Sequence, residues 1–245
     1  MGLAEVEMNI MSAVSAQTLF QFTQDLETLE KILESKGFWP KYCLEYGWKQ
    51  LFAVPECCFC DIPLVAIANH INNYGGYGIG MTKRWGINKG LAPVMYYIKD
   101  SEMSKNIVKV LKSIQDENKE LVYKQLALTK MYQGENPRIC NSNEEYIYYN
   151  EREWRYLPSL PDPKLFIKKF KDKACFEMEK QRLSESTMQY LCTYNASDVK
   201  YLIVKDDDDR LSLISSIDGM NNWEHEDKRL LKSKIITHEL INDDL

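Results

Sequence analysis

Histidine is scarce in this sequence, and long apolar runs are absent. The 245-residue chain has three histidines, and two of them, His225 and His238, lie near its end. A multi-histidine metal centre is therefore not expected. No apolar run reaches the roughly 18 residues of a membrane-spanning helix. The first residues also lack the pattern of a secretory signal, so we expect a cytoplasmic protein that does not associate with membranes.

A net positive charge is also missing. The sequence carries 36 acidic and 31 basic side chains, for a formal net charge of -5. This balance excludes a protein that binds nucleic acid mainly by overall charge, although a local basic patch stays possible. Apolar residues make up 44% of the chain, which is enough for a substantial core.

Several catalytic and nucleotide-binding motifs are absent. The glycine-rich segment YGGYGIG at 74–80 lacks the Lys-Ser/Thr pair of a phosphate-binding loop and does not open a long helix. The chain contains neither the G-x-S-x-G pattern of a nucleophile elbow nor the H-E-x-x-H pattern of a zinc peptidase. Any site must therefore be assembled from residues that lie far apart in the sequence.

The cysteines do not form a pattern typical of a metal site. The chain has seven of them, three in the segment CCFC (Cys57, Cys58, Cys60), and the other four stand alone (Cys43, Cys140, Cys175, Cys192). A zinc knuckle needs a second closely spaced pair. Free cysteines in a buried strand are the preferred interpretation of CCFC, and no metal site is predicted.

Hydrophobic periodicity predicts a mixture of strands and helices. Alternation at 19–23 predicts a strand, and the apolar spacing that follows predicts a helix with Gly37 as its C-cap. Residues 38–53 look irregular, 54–60 reads as a buried strand, and Asp61 and Pro63 begin a short helix. The later predicted elements are strands at 78–82, 93–98, 199–204 and 235–237, a long helix at 102–133, a hairpin or bent strand at 144–157, a basic connector with a short helix at 158–182, and helices at 210–217 and 224–232.

Strands and helices do not alternate strictly, which favours an α+β fold. We predict a single domain over residues 1–245, with residues 1–17 as a loosely attached lead. Its sheet is mostly antiparallel and bent, with helices at the periphery.

Ten polar or aromatic residues form the candidate site, centred on the stretch 54–98. Aromatic rings can stack on a flat ligand, and a strand carboxylate can stabilise a developing cation. The candidate catalytic residues are Glu153 and Glu151, and the candidate ligand-binding residues are Gln21, Thr23, His70, Tyr74, Tyr77, Lys83, Trp85 and Arg155. Two ordinary alternatives stay open: His70 as a helix-end histidine with satisfied hydrogen bonds, and Glu153 with Arg155 as an ion pair on the sheet.

At these residues the sequence resembles the AbiGi family of bacterial abortive phage-infection systems, the antitoxin side of such systems. The segments that carry the resemblance are LFQFTQDLETLEKILESKGFWPKYCLE, VPECCFCDIPL, HINNYGGYGIGMTKRWG, PVMYYI, NEREWRYLP, DVKYLIV and KIITHELI, across most of residues 18–241. The family pattern has histidine where this chain has Gln21. The resemblance implies a role in phage defence and a partner toxin of nucleotidyltransferase type.

A fainter resemblance is to ADP-ribosyltransferase folds. In such folds a first strand with a polar residue and a threonine leads into a helix, and a later strand carries the catalytic glutamate, sometimes as E-x-E, the form of Glu151-Arg152-Glu153. This resemblance implies NAD as cofactor, with Gln21 and Thr23 near the ribose or nicotinamide and Glu153 assisting glycosidic cleavage of NAD. Two hypotheses follow: a non-catalytic antitoxin, and an NAD-dependent ADP-ribosyltransferase that modifies a nucleic acid or protein.

Overall fold

A computed structural model describes residues 16–47, 50–67, 70–71, 74–134, 146–160 and 168–244. Most of the predicted lead at 1–17 lies outside these residues, as do the predicted helix end near Pro137 and part of the basic connector, 161–167. Within the described residues, no helix is long and apolar enough to cross a bilayer.

The strands of the described residues are short except for those at the centre of the sheet. They are β1 (Thr18–Thr23), β2 (Gly37–Phe38), β3 (Lys41–Gly47), β4 (Gln50–Cys60), β5 (Tyr77–Thr82), β6 (Ala92–Pro93), β7 (Met95–Tyr97), β8 (Thr129–Met131), β9 (Glu153–Tyr156), β10 (Lys168–Phe170), β11 (Cys192–Thr193), β12 (Val199–Val204) and β13 (Ile235–Thr237).

The α-helices with described bounds are α1 (Leu26–Ser35), α2 (Lys83–Asn88), α3 (Glu102–Ser113), α4 (Asp116–Leu126), α5 (Lys173–Thr187), α6 (Asp207–Gly219), α7 (His225–Lys232) and α8 (His238–Asp244). Single turns of 3-10 helix lie at Leu64–Ala66, Tyr148–Glu151 and Ala196–Asp198.

The main sheet confirms the α+β prediction. Its strands follow the order β13-β12-β5-β1-β4-β9-β6, with β3 and β10 also paired to β4. All of these pairs are antiparallel except β12 with β13. Strand β4 pairs with β3 and β10 through its first half and with β9 and β1 near its end. The long strand β4 therefore joins β3 to the late strand β9.

Helix α1 forms for the reasons that the sequence suggests, but it ends differently. The Asp25 side chain accepts a hydrogen bond from the Thr28 N–H at 2.7 Å, and Leu29, Ile32 and Leu33 are buried. The predicted cap at Gly37 is wrong, because Lys36 takes the left-handed conformation at φ 52 and Gly37 begins β2. A Cβ on Gly37 would lie 3.2 Å from the Leu191 side chain, so the backbone packs closely against Leu191 at this position.

The prediction of one helix at 102–133 is also wrong. Helix α3 ends at Ser113, because the next residue, Ile114, is extended with a ψ of 138, and α4 is followed by strand β8. Strand β8 pairs in parallel with β7, and this non-local pairing overrides the helical spacing of the apolar residues. Residues predicted as irregular in 38–53 form β3 and the start of β4, and the predicted short helix at 158–182 is the 15-residue α5.

The two faces of the main sheet are packed differently. We call the side that carries Leu19, Phe59, Ile79 and Leu202 the first face, and it is covered by apolar residues of α1, α6 and α7. The opposite side, the second face, carries Phe20 and Ile203, packed against Ile62, Ile67 and Ile241. Because side chains alternate along a strand and paired residues share a side, strand register decides which residues can meet.

Candidate functional site

A network of buried charges lies on the second face, around the end of β4 and strand β9. We call it the ion cluster, and its members are Glu45, Glu56, Lys130, Glu151, Glu153 and Arg155. Four strands (β3, β4, β8 and β9) and one 3-10 turn contribute to it, so residues from 45 to 155 meet in one place.

Arg155 lies at the centre of the ion cluster and is 1% exposed. Its Nε donates to Glu153 Oε1 at 2.8 Å, and its Nη2 donates to Glu45 Oε1 at 2.8 Å. Its Nη1 donates to the Ala127 carbonyl oxygen at 2.7 Å and lies 3.2 Å from Glu56 Oε2. One guanidinium therefore joins carboxylates on β3, β4 and β9 to the end of α4.

Lys130 joins the two candidate catalytic glutamates. Its Nζ lies 2.7 Å from Glu151 Oε2 and 2.8 Å from Glu153 Oε2. The hydroxyl of Tyr74 donates to the other oxygen of Glu151. The backbone N–H of Glu153 donates to the hydroxyl oxygen of Tyr96 at 2.9 Å. The Glu151 carboxylate is thus held by Lys130 and a phenol, and the Glu153 carboxylate by Lys130 and Arg155.

Local backbone geometry puts these side chains on the second face. Glu153 pairs with Cys60 and Arg155 with Cys58, so both point to the side of the sheet that carries Phe20, the β1 partner of Cys60. Arg152 ends the 3-10 turn in the left-handed conformation at φ 47, which lets Glu151 join the same cluster from outside the strand.

The cations set the protonation states of the cluster. Burial alone raises the pKa of Glu153, but Arg155 and Lys130 outweigh it and hold that pKa well below its ordinary value. Burial lowers the pKa of Lys130, and the attraction of Glu153 and Glu151 reverses the shift, so the net pKa is raised. For Glu56, burial dominates and raises the pKa in spite of Arg155. Glu153 is therefore ionised at neutral pH, unlike the raised-pKa carboxyl group that a general acid requires.

The low pKa of Glu153 predicts a specific acid sensitivity. A carboxylate whose pKa is lower in the folded state stabilises the fold above its unfolded pKa of about 4.3, and this stability is lost as the pH falls further. We expect the free energy of unfolding to decline more steeply below about pH 4.3 in the wild type than in Glu153→Gln. Urea unfolding at several pH values between 3 and 7 measures both slopes.

The matched control is Glu179→Gln, which removes a carboxylate from an exposed pair with Arg182 on α5. Exposed pairs contribute less than about 1 kcal/mol, so this variant should keep the wild-type slope. Equal slopes in the wild type and Glu153→Gln would contradict the prediction.

Half of the predicted site residues meet in one neighbourhood. Glu151, Glu153 and Arg155 belong to the ion cluster, and Tyr74 contacts Glu151. His70 is 7% exposed and stacks on Tyr74, with ring centroids 5.8 Å apart. Within the described residues its ring nitrogens make no hydrogen bond, and burial lowers its pKa, which favours the neutral imidazole.

Three predicted ligand-binding residues lie on the first face instead. Gln21 pairs with Ile79 and Thr23 with Tyr77, and Ile79 and Tyr77 belong to the core of that face. Gln21 donates to the Cys58 carbonyl oxygen at 3.3 Å, and the Tyr77 hydroxyl donates to Asp209 at 2.8 Å. The sheet therefore separates Gln21, Thr23 and Tyr77 from Glu153.

Lys83 and Trp85 contact other residues of the protein and stabilise the fold. Lys83 Nζ lies 2.7 Å from Asp61 Oδ2. The Trp85 ring is 2% exposed, and its Nε1 donates to the Thr193 carbonyl oxygen at 3.1 Å. It packs against the rings of Phe38 and Phe59, which makes Trp85 a core residue.

Sequence reasoning missed three members of the ion cluster: Glu45, Glu56 and Lys130. Lys130 fell on the charged side of the helix wrongly predicted at 102–133, and no motif surrounds it. Alternation along β3 and β4 could have placed Glu45 and Glu56 on one side, but the predicted irregularity at 38–53 concealed that pattern.

One group within the described residues has donors suited to a metal ion. The sulfurs of Cys43 and Cys58 and a carboxylate oxygen of Glu56 lie within 4.8 Å of one another. Cys43 stands alone in the sequence, and the β3–β4 pairing places it opposite Val54, two residues before Glu56.

Comparison with known proteins identifies the family. The sequence model described as "Putative abortive phage resistance protein AbiGi, antitoxin" matches residues 38–205, which include the whole ion cluster. A protein of Lactococcus lactis subsp. cremoris, named "Abortive phage resistance protein AbiGi", is 25% identical over 220 residues, which cover 78% of this chain and 88% of that protein. No solved structure matches this chain. The chain belongs to the AbiGi family of abortive phage resistance proteins.

Proposed function

We propose that this chain is the antitoxin of an abortive-infection system and that it acts by binding a toxin protein rather than by catalysis. The observation that carries the proposal is the family match, whose description names an antitoxin and which spans residues 38–205. The resemblance in sequence also implies the class of partner, a nucleotidyltransferase-like toxin, and we include that class in the proposal.

The ion cluster supports a role without chemistry. Glu153 is paired with both Arg155 and Lys130, and Glu151 is paired with Lys130 and Tyr74. Carboxylates that are buried and neutralised in this way stabilise a particular arrangement of strands. A catalytic carboxylate has to face the substrate, and here the charges face one another.

The separation of the predicted residues supports the same conclusion. An ADP-ribosyltransferase would need the NAD-contacting residues of the first strand and the catalytic glutamate in one cleft. Gln21 and Thr23 lie on the first face and Glu153 on the second. The alternative function therefore has less support than the antitoxin function.

Depletion of the protein tests the proposal in a host that carries the complete system. If the chain restrains a toxin, its depletion releases the toxin, so growth should stop. Expression of the wild-type chain from a second locus should restore growth. Strong expression of the chain alone, in a host without the system, should leave growth unchanged. Colony counts during depletion measure the first two effects.

Glu151→Gln separates the two functions in the same assay. Glutamine can still accept a hydrogen bond from Tyr74 or Lys130, and Lys130 keeps its pair with Glu153. An antitoxin should retain activity with this change, whereas an enzyme that uses the Glu151 carboxylate should not. Unchanged growth on depletion, together with nicotinamide released from NAD by the purified protein, would overturn the proposal and favour the enzyme.

A further inference from the structure

Two cysteines and one glutamate meet at the edge of the ion cluster. Cys58 and Glu56 are two residues apart on β4, so both point to the second face, while Cys57 points to the first face and joins its core. Cys43 reaches them from β3, and the three donor atoms lie within 4.8 Å of one another. We call Cys43, Glu56 and Cys58 the thiol–carboxylate site.

Glu56 is the unusual member of this group. The residue is 2% exposed, and neither of its carboxylate oxygens accepts a hydrogen bond within the described part of the chain. Arg155 Nη1 lies 3.2 Å from Oε2 without hydrogen-bond geometry, and it donates to the Ala127 carbonyl oxygen. A buried carboxylate without a hydrogen bond is costly, so a cation that contacts Oε1 would be stabilising.

Charge within the ion cluster also favours a cation. Four acidic side chains share two permanent cations, Lys130 and Arg155, and both cations already contact Glu153. Lys130 lies against Glu151 and Glu153, so Arg155 is the cation that reaches Glu56. A metal ion held by Glu56 would supply positive charge where the protein itself supplies least.

We propose that Cys43, Glu56 and Cys58 bind one Zn²⁺ ion. Thiolates are soft ligands that suit zinc, and a carboxylate oxygen is a common third ligand. Tetrahedral zinc with sulfur at about 2.3 Å places its ligands about 3.8 Å apart, so modest side-chain rotations would close the site. Water or a side chain of a partner protein can fill the fourth position.

Arg155 fits the role of a positioning residue for this ion. Carboxylates that bind metals are commonly held by a second group, which orients them. The contact of Arg155 with Glu56 Oε2 leaves Oε1 for the ion. The zinc site would thereby be connected to β9 as well as to β3 and β4.

Titration of the reduced, full-length protein with Co²⁺, followed by displacement with Zn²⁺, tests the proposal. Thiolate-bound Co²⁺ has charge-transfer absorption from sulfur that oxygen-bound Co²⁺ lacks. We expect this absorption to saturate at one equivalent of Co²⁺ and to disappear on addition of Zn²⁺. Cys43→Ser and Cys58→Ser should each weaken binding by more than about 100-fold, and Glu56→Gln by at least about 10-fold.

Cys175→Ser is the matched control, because Cys175 is a free cysteine on α5 that lies outside the site. It should bind Co²⁺ as the wild type does. A second measurement needs only wild-type protein: Zn²⁺ should slow alkylation of Cys43 and Cys58 but leave alkylation of Cys175 unchanged. Absence of sulfur charge transfer, or equal alkylation with and without Zn²⁺, would overturn the proposal.

Discussion

Replacement of Arg155 with methionine is expected to lower the free energy of unfolding by about 3–5 kcal/mol. Arg155 is the largest of the fully buried side chains in the described residues. Its removal would leave the carboxylates of Glu45 and Glu56 without the cation that they contact. Methionine fills much of the same volume. The loss of stability would therefore come from the missing positive charge rather than from a cavity. Urea unfolding at pH 7 measures the change.

The control for this prediction is Arg182→Met, which breaks an exposed ion pair with Glu179. Such pairs are worth less than about 1 kcal/mol, so its stability should stay close to the wild type. The double variant Arg155→Met/Glu153→Gln should lose less stability than the two single variants added together, because its second change removes one of the buried negative charges that Arg155 balances. Additive losses would mean that the two side chains do not interact.

Trp85→Ala should also lower the free energy of unfolding by about 3–5 kcal/mol, the usual cost of removing a large buried aromatic ring. The ring fills the first-face core between Phe38 and Phe59. The result distinguishes a core residue from the ligand-binding residue that the sequence predicts. A ligand-binding tryptophan would lose affinity for its ligand on this change and leave the stability nearly intact.

Trp85→Phe is the matching variant. It keeps an aromatic ring in the core but removes the hydrogen bond to the Thr193 carbonyl oxygen. We expect a smaller loss of about 1–3 kcal/mol, since that carbonyl oxygen is left without its donor. Thermal unfolding monitored by circular dichroism would rank the three proteins. A Trp85→Ala protein as stable as the wild type would place Trp85 outside the core.

The sequence predicts the fold class and the strongest local elements, because those depend on neighbouring residues. Alternation at β1, spacing in α1 and the apolar run of β12 all reappear in the structure. Local patterns fail where distant partners decide the outcome. The residues of β8 follow a helical spacing in the sequence, which predicts a helix. They form a strand instead because β8 pairs with β7.

In the candidate site, too, local features could be predicted from the sequence and contacts between distant residues could not. The segment Glu151–Arg155 could be recognised from its charges, and Tyr74 from its place beside the glycine pair. Whether Gln21 shares a cleft with Glu153 depends on the register of β1, β4 and β9, and register cannot be read from one strand. The meeting of Cys43 with Cys58 depends on the β3–β4 pairing in the same way.

The composition of the ion cluster has a consequence for synthesis on the ribosome. Glu45 and Arg155 are separated by 110 residues, and the β3–β4 hairpin leaves the ribosome long before β9. Until β9 docks, Glu45 and Glu56 have to stay hydrated, because their shared cation has not yet been made. The hairpin is therefore expected to complete its packing only late in translation, and a truncated chain that ends before β9 should remain open to chaperones and proteases.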